Sequence, residues 1–199
     1  GAYHSTIACA YDPNDKLVDP PGVDDENYTL FKEVLNYTVR FQNTGTDTAF
    51  TVRIEDVLDD DLDWSTFRPI AASHDYTPSL DLQDGKVVFL FENILLPDST
   101  TNEGASHGFV QYSIEALDNL PEGTLIENTA DIYFDFNPPI RTNTTQNTLV
   151  SKILTSTKAL PTNVSIEVSP NPFDQYIQIR TAGLPKATSY QVGLRDVFG

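Results

Sequence analysis

The chain has 199 residues and carries 29 acidic against 12 basic side chains, a formal net charge of −17. This excess of negative charge disfavours binding to nucleic acid or to anionic lipid, because both carry the same sign. No apolar run approaches the length of a membrane span, so we expect no membrane insertion. The single cysteine, Cys9, excludes an internal disulfide, and we expect it to be a small buried residue.

Residues 35–56 predict two strands around one turn. Apolar and polar side chains alternate on both sides of an Asn-, Gly- and Asp-containing turn, which is the period of half-buried strands. Phe50, Val52 and Ile54 share one side of the second strand, and Asp56 continues that side. A carboxylate on an apolar face is costly unless it is paired, hydrogen-bonded or bound to metal. Asp56 is therefore the sharpest chemical feature of the sequence.

Further segments of period two follow, and the turn at residues 83–85 predicts a hairpin. The alternating segments are residues 87–91, residues 110–116, a long strand at residues 125–136 and an edge strand at residues 140–149. Asn128 falls on the apolar face of the long strand. We find no helical period, so we predict an all-β, immunoglobulin-like antiparallel sandwich of about seven to nine strands.

The pattern changes towards the C-terminus. We predict a sandwich domain over residues 1–149, a linker over residues 150–162 and a partial second β-sandwich over residues 163–199. Three short candidate strands are too few to enclose a full core, so the second unit looks incomplete.

Four motifs in the first domain indicate a family. They are DPNDK, YTVRFQNTGTDTAF, LPDSTTNEGASHGFV and NTADIYFDFNPPIRTNT. Together they resemble an immunoglobulin-like β-sandwich conserved-repeat domain that is common in large secreted proteins of gliding and gut-type Gram-negative bacteria. The resemblance covers roughly residues 9–149 and implies a sandwich fold. It implies no catalytic residue, because the family has none to transfer.

The tail resembles a second family. Residues 168–173 (VSPNPF) and 194–199 (LRDVFG) look like the first half of a type IX secretion C-terminal sorting domain, whose terminal Gly- and Lys-bearing strand does not appear. This resemblance implies a secreted or cell-surface protein at the exterior of a Gram-negative outer membrane. It also implies that the type IX secretion machinery is a partner of the intact sorting domain.

Enzymatic interpretations find little support in the sequence. The histidines are His4, His74 and His107. Ser73 and Asp75 flank His74, but adjacent residues cannot adopt the geometry of a catalytic triad, in which separate segments converge. We therefore predict that the protein is not an enzyme.

Calcium is the cofactor that the composition allows. Asp12, Asn14 and Asp15 form a dense oxygen cluster, and hard cations bind several such oxygens at one point. The alternative, which we favour, is a hydrogen-bonded turn. The acidic loop at residues 59–63 is a weaker candidate, because its side chains are expected to be solvated.

Lys16, Asp56 and Asn128 form a further candidate site. Period two places Asp56 and Asn128 on core faces, and Lys16 follows the first turn and enters an early strand. A lysine, an acid and an asparagine in an apolar interior resemble the arrangement with which surface-adhesin sandwiches form an intramolecular isopeptide bond. The alternative, which the sequence favours, is that Asp56 and Asn128 bond backbone groups while Lys16 pairs with an acidic neighbour.

Two short patterns also fit export. Thr48 and Ser99 each follow an aspartate, in a pattern that resembles the O-glycosylation acceptor of such bacteria. Ordinary turn residues explain the same letters equally well.

These features favour a non-catalytic structural or adhesive module of a large exported bacterial surface protein. Its expected partners are other domains of the same protein, and a surface protein or a glycan ligand. The alternative is a carbohydrate-binding accessory module of a secreted hydrolase, which needs a row of exposed aromatic side chains. The candidates for that row are Tyr3, Tyr11, Tyr28, Trp64 and Tyr76.

Overall fold

Strands make up almost all the regular structure of the chain. The computed structural model describes residues 13–153, 165–169 and 178–182. Within these residues the helical structure is one 3₁₀ turn at Glu103–Ala105. In the same part of the chain no helix has the length and apolar character needed to cross a membrane.

Residues 13–153 contain twelve strands in three sheets. The strands are β1 (Asp15–Asp19), β2 (Tyr28–Leu30), β3 (Leu35–Gln42), β4 (Ala49–Val57), β5 (Leu62–Ala72), β6 (Thr77–Asp81), β7 (Lys86–Leu96), β8 (His107–Ala116), β9 (Thr124–Asn128), β10 (Ala130–Phe134), β11 (Ile140–Arg141) and β12 (Thr145–Val150). The first sheet has the order β1-β3-β8-β5, and the second has the order β11-β10-β4-β7-β6. The third sheet is β2-β12-β9, in which β12 and β2 are parallel.

The first two sheets face each other across an aromatic core. Phe41 of β3 packs edge-on against Phe91 of β7, with ring centroids 5.3 Å apart. Phe89 of β7 stacks on Tyr112 of β8 at 5.7 Å. All four side chains are buried, as expected for inward-facing positions of alternating strands. The prediction of an all-β, immunoglobulin-like sandwich is confirmed.

The hairpin expected at residues 83–85 joins β6 to β7, which pair antiparallel. Gly85 has a φ of +64°, a conformation that glycine adopts without steric cost. A Cβ at this position would lie 2.5 Å from the Trp64 ring. The turn therefore needs glycine both for its backbone conformation and for the space beneath Trp64.

Two expectations for residues 35–56 need correction. The two predicted strands exist, but β3 pairs with β1 and β8 while β4 pairs with β10 and β7, so they belong to different sheets. Phe50 was expected to face inward with Val52 and Ile54, yet its side chain is 58% exposed. A register shift between Ala49 and Thr51 explains this, because a bulge turns Ala49 inward and Phe50 outward.

The prediction of one continuous strand over residues 125–136 is also wrong. It divides after Asn128 into β9, in the third sheet, and β10, in the second sheet. Phe136, expected on the apolar face, lies beyond the end of β10 and is fully exposed. β12 is the central strand of its sheet rather than an edge strand. Such divisions raise the strand number above the seven to nine that we predicted.

The chain divides into two compact units, Gly1–Ile153 and Leu154–Gly199. In the second unit β13 (Ser165–Ser169) and β14 (Gln178–Ala182) pair antiparallel, with Ser165 opposite Ala182. The remainder of the predicted partial sandwich, and most of the predicted linker, lie outside the described residues.

Candidate functional site: a buried lysine, aspartate, tyrosine and asparagine

The three residues singled out for an isopeptide bond meet in the interior of the first unit. Lys16 is the second residue of β1 and lies opposite Val39, so the strand alternation turns its side chain inward. Asp56 continues the inward face of β4, and Asn128 ends β9. Lys16 and Asp56 are completely buried, and Asn128 is 2% exposed.

Tyr112 of β8 connects these three side chains. The Lys16 Nζ forms an ion pair with Asp56 Oδ2 and donates to the Tyr112 hydroxyl oxygen at 3.1 Å. That hydroxyl donates to Asp56 Oδ2 at 2.7 Å. Asn128 Nδ2 donates to the same hydroxyl oxygen at 2.9 Å. The amine and the carboxamide thus bond to one shared oxygen atom.

Two tyrosine rings form a wall beside the lysine amine. The Lys16 Nζ lies 5.0 Å from the centroid of the Tyr37 ring and 5.5 Å from that of Tyr112. The two rings themselves are 5.2 Å apart. Aromatic faces attract a cation but give it far less solvation than water does, so the cluster remains a costly place for charge.

The backbone of Lys16 is held by a side chain from a distant segment. The Lys16 N–H donates to Asn143 Oδ1 at 2.9 Å, and Asn143 Nδ2 donates to the Lys16 carbonyl at 2.9 Å. This reciprocal pair imitates the hydrogen bonds of a neighbouring strand. It fixes β1 at the residue whose side chain enters the cluster.

Burial controls the protonation of the cluster. Desolvation lowers the pKa of the Lys16 amine, an effect that the Asp56 carboxylate partly offsets. Burial also raises the pKa of the Tyr112 hydroxyl well above its ordinary value, and that of Tyr37 likewise. The low-dielectric surroundings therefore favour the neutral amine and the neutral phenols.

Two buried oxygen atoms of the cluster, Asp56 Oδ1 and Asn128 Oδ1, lack a hydrogen-bond partner within the described part of the chain. Buried polar groups are nearly always paired in folded proteins. The noncovalent cluster therefore combines buried charge with unmet hydrogen-bonding capacity, both of which raise its free energy.

An open cleft of about 440 Å³ lies next to the cluster. Asn128 lines it together with carboxylates and two basic side chains. The charged lining residues are Glu55, Lys86, Glu127, Asp131 and Arg141. Asn128 is thus the member of the cluster that borders the cleft, although it is only 2% exposed, whereas Lys16 and Asp56 are completely buried.

Tyr112, Tyr37 and Asn143 were not identified from the sequence. The two tyrosines alternate with polar neighbours in the sequence, which places both of them on inward faces of strands. A buried tyrosine hydroxyl needs a hydrogen-bond partner. This signal could have pointed to a polar cluster in the core. Nothing in the sequence indicated which distant residues would meet there.

The predicted calcium ligands are occupied by protein groups where the structure describes them. The two oxygens of Asp15 accept hydrogen bonds from the Arg40 guanidinium. Asn14 Oδ1 accepts from the Gln42 N–H at 3.1 Å. Asp12 lies outside the described residues, and within them no cluster of three His, Cys, Asp or Glu side chains could hold a metal. The calcium site remains a prediction, for which a cation would have to compete with Arg40.

The two predicted glycosylation sites lie in turns. Thr48 is half-buried, and its N–H donates to Asp47 Oδ1 at 2.7 Å. Ser99 is also half-buried, and it follows the buried Asp98, whose Oδ1 accepts from the Thr100 and Thr101 N–H groups. The aspartates therefore stabilise turns, and the modification of Thr48 and Ser99 remains a prediction.

The described histidines lie apart from the cluster. His74 Nδ1 is 2.8 Å from the hydroxyl oxygen of its neighbour Ser73, and that hydroxyl accepts from the Phe109 N–H. His107 Nε2 is 3.1 Å from Glu103, four residues earlier on the surface. His4, like Cys9, lies outside the described residues.

Two candidates for a sugar-binding platform pack inward. Trp64 lies against the core and donates its indole N–H to the Asp59 carbonyl. Tyr76 packs against Phe89 and Phe91. Tyr28 is half-buried, and Tyr3 and Tyr11 lie outside the described residues.

Fold and site together define a β-sandwich domain with an enclosed polar cluster between its sheets. A family profile described as "Domain of unknown function (DUF7619)" matches residues 12–148. The chain belongs to this family. The match spans β1 to β12 almost completely and includes Lys16, Asp56, Tyr112 and Asn128.

The chain is also similar to solved structures of low sequence identity. The collagen-binding domain of a Staphylococcus aureus adhesin matches with 9% identity and a TM-score of 0.42, covering 71% of this chain and 99% of that one. The full-length major pilin SpaD of Corynebacterium diphtheriae matches with 20% identity and a TM-score of 0.45, over 67% of this chain and 34% of that one. The N-terminal domain of the Streptococcus gordonii adhesin Sgo0707 has 15% identity and a TM-score of 0.47, over 70% and 33%. The chain thus spans about a third of the two longer proteins. No curated protein sequence matches it.

Proposed function

We propose that this chain is a non-catalytic structural or adhesive module of a large exported bacterial surface protein. The observation that carries this proposal is the enclosure of its polar cluster, in which Lys16 and Asp56 are fully buried and Asn128 is 2% exposed. A substrate cannot contact groups buried to this extent. Their chemistry therefore acts on the domain itself rather than on a second molecule.

The position of the cluster suits a module that resists unfolding. Lys16 and Tyr112 belong to the first sheet, Asp56 to the second and Asn128 to the third. The hydrogen bonds among these four side chains connect all three sheets at one point. Separating the sheets would break this connection and expose buried charge.

Export is supported by the sequence. The motif at residues 168–173 resembles the start of a type IX sorting domain, and the net charge of −17 suits a soluble surface protein. In this proposal the intact sorting domain engages the type IX machinery, and the module stands outside the outer membrane. Its partners are neighbouring domains and a surface protein or glycan. No observation favours the carbohydrate-binding alternative, since Trp64 and Tyr76 pack inward.

Surface labelling tests this proposal. Antibodies raised against the first unit should bind intact cells of the source bacterium or detect the protein in the culture medium, while a cytoplasmic marker remains inaccessible. Antigen found only after cell lysis would contradict the proposal. This experiment does not depend on the chemical state of Lys16.

A further inference from the structure

We propose that Lys16 and Asn128 join in an intramolecular isopeptide bond, a covalent link between the first sheet and the third. This inference goes beyond the proposed function, because the bond forms whether or not the protein is exported. It rests on the shared hydroxyl of Tyr112, which holds the Lys16 amine at 3.1 Å and the Asn128 amide nitrogen at 2.9 Å.

The amine is prepared as a nucleophile by its surroundings. Only a neutral amine has a free electron pair, and complete burial of Lys16 disfavours its protonated form. Asp56 Oδ2 is hydrogen-bonded to the amine and is placed to accept its proton. Since Asp56 also accepts from Tyr112, its position is fixed by a second group.

The reaction is a balanced exchange of one amide for another. The electron pair of Lys16 Nζ attacks Asn128 Cγ and forms a C–N bond, while Asp56 takes up the proton released from the amine. Asp56 then donates that proton to Asn128 Nδ2, the Cγ–Nδ2 bond breaks, and one molecule of ammonia leaves. The step consumes no water, oxidant or reductant.

Two features of the structure favour the forward direction. The exchange replaces a buried, titratable amine with an amide that carries no charge, which removes the desolvation cost of protonating that amine in the interior. Asn128 also lines the cleft of about 440 Å³, so ammonia leaves on the carboxamide side into solvent.

Mass spectrometry of the purified full chain tests the proposal. The intact protein should be lighter than its sequence by the mass of one ammonia. Trypsin should fail to cleave after Lys16, and one branched peptide should contain both Lys16 and Asn128. If the intact protein still had the mass calculated from its sequence after prolonged incubation, with no ammonia lost, the proposal would be overturned. So would an ammonia loss in a protein that is still cleaved at Lys16, since that loss would come from another asparagine.

Matched variants separate the chemistry from folding. Lys16→Met removes the nucleophile and should restore the full mass. Asp56→Asn keeps both reacting groups and the size of the side chain but removes the base, so its linked fraction should fall at least tenfold. Asp131 lies on the adjacent strand, and its carboxylate pairs with Arg141 rather than with Lys16. The control variant Asp131→Asn should therefore still form the isopeptide bond. Circular dichroism identifies any variant that fails to fold, and in that case the wild-type mass and branched peptide still decide the question.

Discussion

Complete burial of a lysine requires a partner, and Lys16 has three. The Asp56 carboxylate pairs with its charge, the Tyr112 hydroxyl accepts a hydrogen bond, and the Tyr37 ring lies beneath the amine. Removing one member of a buried ion pair typically costs about 3–5 kcal/mol, because the other charge stays unpaired. The same desolvation that makes the pair expensive also makes the amine reactive.

Asp98 is a second residue whose side chain affects the stability of the protein, in this case in a pH-dependent way. Its carboxylate accepts hydrogen bonds from the Thr100 hydroxyl, and from the Thr100 and Thr101 N–H groups at 3.0 and 2.9 Å. These bonds, chiefly those from Thr100, lower the pKa of Asp98 to about 2. A carboxyl whose pKa falls on folding stabilises the protein fully above its unfolded pKa of about 3.9, and this stabilisation is lost as the pH falls through the folded pKa.

We therefore expect Asp98→Asn to lower the free energy of unfolding at neutral pH and to flatten its decline between about pH 4 and pH 2. Urea denaturation at a series of pH values measures both effects. Asp118→Asn serves as control, because it removes the same charge from an exposed position. Equal slopes for the wild-type protein and Asp98→Asn would show that this carboxylate contributes no acid sensitivity.

At the scale of elements, the break between β9 and β10 determines where the side chains of the cluster meet. The division between β9 and β10 leaves Asn128 at a strand end in the third sheet, while Ala130 pairs with Asp56 in the second. The residue between them, Thr129, is half-buried, and its hydroxyl bonds that of Thr144. A continuous strand would have belonged to one sheet, so the break allows Asn128 and Asp56 to approach from different sheets.

The turn between β6 and β7 yields a prediction about packing. Gly85→Ala places a Cβ at positive φ and also against the Trp64 ring, whereas Gly123→Ala places one at positive φ with nothing within 4 Å. Both changes should incur a backbone cost of about 1–2 kcal/mol. Gly85→Ala should lose about 1–3 kcal/mol more through overpacking. Chemical denaturation of the two variants gives the difference, and equal losses would mean that the Trp64 contact relaxes freely.

At the scale of the whole molecule, a bond between Lys16 and Asn128 would enclose most of the sandwich in one covalent loop. Tension applied to the chain ends would then pass through the bond and bypass the strands between the two residues. The strands that lie wholly inside the loop, β2 to β8, would bear no load. Such a path suits a module that separates a presented domain from a cell surface.

Single-molecule stretching of the full chain tests this load path. The fully extended wild-type chain should be shorter than Lys16→Met by roughly 400 Å, at about 3.5 Å for each residue held in the loop. Asp131→Asn should extend like the wild type. Equal contour lengths for the wild type and Lys16→Met would show that force unfolds the enclosed segment and that no covalent path exists.

The sequence by itself determined the class of fold and the inward faces of most strands. Two-residue alternation is a local property, so it identified Val52, Ile54 and Asp56 as one face of β4 without knowledge of their neighbours. It also indicated that Asn128 faces the core. Local alternation failed at Phe50, where a bulge reverses the faces, and at residue 129, where the strand changes sheet.

Only the tertiary structure decided which buried groups meet. Lys16 and Asn128 are far apart along the chain, and their contact depends on three sheets arranged around Tyr112. The period of a strand says which way a side chain points but carries no information on the strand it will face. For that reason the sequence supplied the candidates for the reaction, and the packing of the sheets supplied the site.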